Sequence, residues 1–185
     1  MFKKILRIIN LLWYNVAQEY KRGVSKVNAS QETAFGEIDS VDFAIYLNKK
    51  AHELGIQTIN VTKIQKWLYI CYGLYLAVHE KQLLSERPKA WDYGPAFPRV
   101  HKTQKRNDNS LDYLQNTRSQ EDLQKYDDVI KATLENFGTW TASDLVAWTH
   151  EKGKAWRKTI ELEGRYSSMD NYDILLDFKG MISNG

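Results

Sequence analysis

Hydrophobic positions recur at steps of three and four along most of the chain, the spacing of one face of an α-helix. The pattern is most regular over 62–81, where Ile64, Trp67, Leu68, Cys71, Tyr75 and Val78 follow Thr62-x-x-Gln65, a capping-box pattern. This segment is expected to be the central helix. Upstream, Val41, Ala44, Leu47, Ala51 and Leu54 share one face of a helix that Ser40 can cap and Gly55 can end. The period is lost over 81–92, which carries Pro88, so an extended stretch or short hairpin is expected near 82–94. Gly94-Pro95 marks a turn, and Pro98 suits the first turn of another helix. Residues 107–120 are polar and read as a surface excursion. Leu123, Tyr126, Ile130, Leu134 and Phe137 form a further helical face ending at Gly138, and Thr141-x-x-Asp144 opens the next helix. Shorter helices are expected around 155–160 and 170–178. The fold class is therefore mostly α: a compact single-domain helical fold with one short hairpin.

The first residues form a separate unit. Phe2, Ile5, Leu6, Ile9, Leu12, Trp13, Val16 and Tyr20 fall at helical spacing, so residues 1–22 read as an amphipathic N-terminal helix. Residues 23–38 read as a linker and 39–180 as the helical domain. Residues 1–26 carry six basic groups and one acid, while the remainder is near neutral. Arg7 and Asn10 interrupt the apolar run, no small-residue cleavage site follows, and the run is far short of the ~20 residues of a membrane span. The favoured reading is a helix docked on its own domain or on a partner, with Ile5, Ile9 and Trp13 as the apolar anchor. Contact of residues 1–22 with a membrane surface is the alternative.

Composition narrows the class without naming a function. The 185 residues, 43% of them hydrophobic and 26% charged, suit one domain with one core. Only 10 Gly and 3 Pro exclude a low-complexity or collagen-like chain. A net charge of +3 does not demand nucleic acid. A single cysteine makes no internal disulfide, and a cytoplasmic location is expected.

No constellation of catalytic groups emerges. The histidines His52, His79, His101 and His150 lack the spacing of a zinc helix, and no G-x-S-x-G elbow, phosphate loop or dinucleotide turn is present. Cys71 lies on an apolar helical face and reads as a buried thiol. The expectation is a protein that is not an enzyme, with no catalytic residue, metal, cofactor or small-molecule substrate. His101, Lys102, Lys105 and Arg106 cluster, but cations also suit a helix C-terminus, and nucleic acid is not the favoured partner. The unusual feature is aromatic: Trp91, Tyr93, Gly94, Pro95, Phe97 and Pro98 crowd into eight positions. Such a loop can make a protein-binding surface, plug the core, or do both.

Three segments, 62–81, 90–101 and 142–158, resemble in order and spacing the Panacea domain of bacterial and prophage toxin–antitoxin pairs. The matching residues are Lys63, Ile64, Gln65 and Lys66 at a helix start, then Trp91, Tyr93, Gly94 and Pro95, and then Ser143, Thr149, His150, Gly153 and Trp156. Val146 stands where leucine is expected, and Lys154-Ala155 where serine or proline is common before the last Trp. The resemblance covers roughly 40–178 by motif order. It implies an antitoxin that neutralises a cognate toxin, encoded by the adjacent gene, by direct protein–protein binding. Some relatives act instead as adaptors delivering the toxin to a protease, and a DNA-binding regulator of its own operon is a further alternative. The expected contact residues are Trp91, Tyr93, Gly94, Pro95, Phe97, His150 and Trp156, with Lys63, Lys66, Arg99 and Lys154 steering an acidic partner.

Overall fold

A computed structural model describes residues 38–183. The expected helix 1–22, with Ile5, Ile9 and Trp13, and the linker up to residue 37 lie outside the described residues. Ile38 is fully buried and bridges Leu84.

The first helix among the described residues, α1 (Ser40–Glu53), starts because the Asp39 carboxylate accepts from the amides of Val41 and Asp42. Ser40 is thus the first helical residue rather than the cap, and its hydroxyl donates to Glu86. The second, α2 (Val61–His79), is capped by Asn60, whose side chain accepts from Lys63 N at 2.9 Å, not by Thr62 and Gln65. Residues 63–74 of α2 are buried on every face, as a helix enclosed by neighbours on all sides must be. Gly73 makes one close approach possible: a Cβ there would lie 2.1 Å from the Phe178 ring.

A two-stranded antiparallel hairpin follows, β1 (Lys89–Trp91) and β2 (Gly94–Ala96), with Trp91 opposite Gly94. It covers 89–96, the far end of the stretch expected to be extended. The outer edge of β1 is covered by residues 166–168: Ala90 N donates to Ser167 O at 2.9 Å, and Tyr166 N to Ala90 O at 2.8 Å. Pro98 then opens α3 (Pro98–Arg106) at its first position, where a missing amide costs nothing.

The 107–120 excursion is irregular but anchored. Leu111 is buried, and Asn116 and Thr117 bond the backbone and carboxylate of Asp42. The face expected over 123–137 is divided into α4 (Gln120–Gln124) and α5 (Asp127–Phe137), with buried Tyr126 between them. Next come α6 (Ala142–Thr149), opened by the expected Thr141–Asp144 capping box, α7 (Ala155–Leu162) and α8 (Asn171–Ser183). The core is a shell of α8, α5, α1, α6 and β2 around α2. The described residues are mostly helical, with one small hairpin among them. No helix among the described residues is long and apolar enough to cross a membrane.

Candidate functional site: a pinned hairpin and its cleft

The N-terminal turns of α2 act as a clasp. The Lys63 ammonium donates to Gly138 O at 3.0 Å and lies 4.9 Å from the centre of the Trp67 ring. Trp67 Nε1 donates to Phe137 O at 3.2 Å. Both acceptors are carbonyls at the C-terminal end of α5, where a cation also complements the helix dipole. Gln65 Oε1 accepts from Phe97 N at 2.6 Å, and Lys66 Nζ donates to Pro95 O at 2.9 Å. One turn of helix thereby holds both the end of α5 and the second strand of the hairpin.

The hairpin is pinned from its other side as well. Trp156 Nε1 donates to Trp91 O at 2.9 Å. Gly94 has φ +92, and a Cβ there would lie 2.6 Å from Thr149 Oγ1 and 3.0 Å from Lys66 Nζ. Glycine is required both for the backbone conformation and for the space. His150 stacks on Trp156, with ring centres 3.7 Å apart and planes 7° apart. Its Nε2 is buried and finds no hydrogen-bond partner among the described residues. Burial, with Lys66 and Arg157 nearby, lowers the His150 pKa.

The three segments singled out in the sequence therefore meet at one place, and most of their residues face inward. Lys63 and Lys66 are 4% and 2% exposed. The expected position at the surface is corrected: each amine lies inside the fold and donates one hydrogen bond to a backbone carbonyl. Gly94 and Pro95 are buried, and Phe97 is fully buried with its ring 5.9 Å from that of Tyr72. Lys154 is half-buried, 4.4 Å from the centre of the Trp148 ring and beside Glu151. Arg99 is exposed but pairs with Asp39 and donates to Ser85, tying α3 to the cap of α1. Trp156 is 6% exposed.

What reaches solvent is the hairpin tip. Tyr93 is 76% exposed. Half-buried Trp91 meets His101 edge-on at 5.0 Å and Tyr166 at 6.3 Å. These side chains rim a cleft of about 320 Å³ whose other wall is Val61 and Thr62 of α2, and Lys66 lines it. Lys66 has no carboxylate within ion-pair distance among the described residues, and burial lowers its pKa to about 7. Asp92, also on the rim, is engaged by Arg165 at 3.1 Å. Tyr166 has φ +67, a left-handed conformation that costs a bulky residue about 1–3 kcal/mol. The sequence reading missed Tyr166, and its one signal is the preceding Gly164-Arg165 after a helical run. A larger cleft, about 450 Å³, lies between α1 and the 107–120 segment, and none of the motif residues lines it.

Among the described residues, no three His, Cys, Asp or Glu side chains are grouped to hold a metal ion. Cys71 is fully buried, its Sγ 3.1 Å from Thr133 Oγ1, and burial pushes the thiol up to about 12.

Fold and site define a helical domain built around α2 that carries a β-hairpin pinned from both sides, with an aromatic-rimmed cleft at its tip. The family model described as antitoxin SocA-like, Panacea domain, matches residues 64–157, half of the chain, and the chain belongs to that family. The match runs from the first turn of α2 through the hairpin to α7 and includes Trp156. No curated protein and no solved structure matches the chain.

Proposed function

We propose that this protein is an antitoxin that neutralises a cognate protein toxin by direct binding through the hairpin face. Membership of the antitoxin family supports the role. One observation carries the choice of surface: Tyr93 stands 76% exposed at the tip of a hairpin fixed by buried hydrogen bonds from α2 and a half-buried one from α7. An aromatic side chain offers a large contact area at small entropic cost, and a rigid support lowers the cost of ordering it on binding. Trp91 and Tyr166 extend the same surface. The buried motif residues then serve to hold the hairpin, while the exposed tip makes the contact. The partner is the product of the neighbouring gene, in the cytoplasm, and residues 1–22 supply a second, apolar contact.

Co-expression with the neighbouring open reading frame tests this. Wild type should relieve growth arrest, and Tyr93→Ala should relieve it at least tenfold less while melting at the wild-type temperature. Unchanged rescue by Tyr93→Ala would move the contact elsewhere.

A further inference from the structure

Among the described motif residues, Lys66 combines an unpaired ammonium with a place on the wall of the cleft. An ammonium carries three donors, and Lys66 gives one of them to Pro95 O. A buried cation is ordinarily paired, because removing it from water costs several kcal/mol. Here no carboxylate from the described residues approaches it, yet it lines a cleft that opens beside the exposed Tyr93. The nearby carboxylate, Asp92, is taken by Arg165. The other walls are the rings of Trp91 and Tyr166, the His101 imidazole and the first turn of α2. Tyr166 holds its place on the rim in a left-handed backbone conformation, the kind of strain that gathers at ligand clamps.

We propose that this cleft reads an acidic side chain: an Asp or Glu of the toxin enters beside Tyr93 and pairs with Lys66 Nζ. This rests on the antitoxin reading and names the chemistry of its central contact. Charge complementarity selects the occupant. A cationic group would meet the amine, and a purely apolar one would leave its two remaining donors without acceptors. The aromatic rim would exclude water around the ion pair, which strengthens it and makes the contact selective.

Benzoate and its neutral isostere benzamide serve as probes, followed on the Trp91 indole NMR signal of the full chain. Benzoate should bind at least tenfold more tightly than benzamide, and Lys66→Met should abolish the difference. Lys66→Gln, which keeps a donor for Pro95, answers the same question if the methionine variant does not fold. In co-expression, the folded Lys66 variant should lose rescue at least tenfold. Equal binding of the two probes, or full rescue by a Lys66 variant, overturns the inference. If wild type itself rescues no toxicity, the antitoxin reading falls. If wild type rescues and Lys66→Met rescues equally, only the acidic contact falls.

Discussion

Replacing Lys66 by methionine keeps an apolar stem out to Cε and removes the amine. Burial lowers the Lys66 pKa from 10.5 to about 7, which corresponds to about 5 kcal/mol between its charged and neutral forms. The folded chain therefore releases this proton near pH 7, whereas the unfolded chain keeps it until about pH 10.5. Between those values the unfolded state carries more protons, so wild-type stability rises with pH. Below pH 7 the full cost of the buried charge is present. Relative to Lys66→Met, wild type should gain about 3 kcal/mol between pH 7 and 9.5. The lost bond to Pro95 O costs the variant about 1–3 kcal/mol at every pH and so shifts the offset without changing the slope. His150 and His101, both with lowered pKa, titrate on the acid side of this window. Urea denaturation of both proteins at half-unit steps of pH measures the difference. Parallel stability curves would mean that Lys66 keeps an ordinary pKa in the fold and is not desolvated, which refutes the reasoning.

Three further substitutions test the clasp and the core. Gly94→Ala should destabilise by about 1–3 kcal/mol in thermal unfolding, because its Cβ meets Thr149 Oγ1 at a backbone φ of +92. Trp156→Phe removes the indole donor to Trp91 O and should cost about 1 kcal/mol, read as a lower urea midpoint. Gly73→Ala places a methyl against the Phe178 ring and should cost about 1–3 kcal/mol or more by overpacking, with a matching fall in melting temperature.

The helical period located α2, α5 and α6, because α5 and α6 bury one face against neighbours and the largest apolar side chains of α2 keep the same spacing though most of that helix is enclosed. Caps were less legible. Asp39 and Asn60 win over Ser40 and Thr62, since any short polar side chain can cap and the choice depends on the packing of the first turn. The hairpin lay a few residues beyond its expected centre because its position is set by long-range bonds from Gln65, Lys66 and Trp156, which no local pattern encodes. The motif residues were legible as a group, but not their direction. A lysine reads as a surface charge in sequence, and only the carbonyls at the end of α5 and on β2 show why Lys63 and Lys66 turn inward. Tyr166 escaped notice because it reaches the cleft through a covering segment distant in sequence from β1.

The most direct test of the central claim is growth rescue. Cells carrying the neighbouring open reading frame would be counted with wild type, with Tyr93→Ala and with no partner. Toxicity from the neighbour alone, relief by wild type, and at least tenfold less relief by a Tyr93→Ala protein of unchanged melting temperature are expected. Toxicity that wild type does not relieve, or relief that Tyr93→Ala provides in full, would contradict the claim.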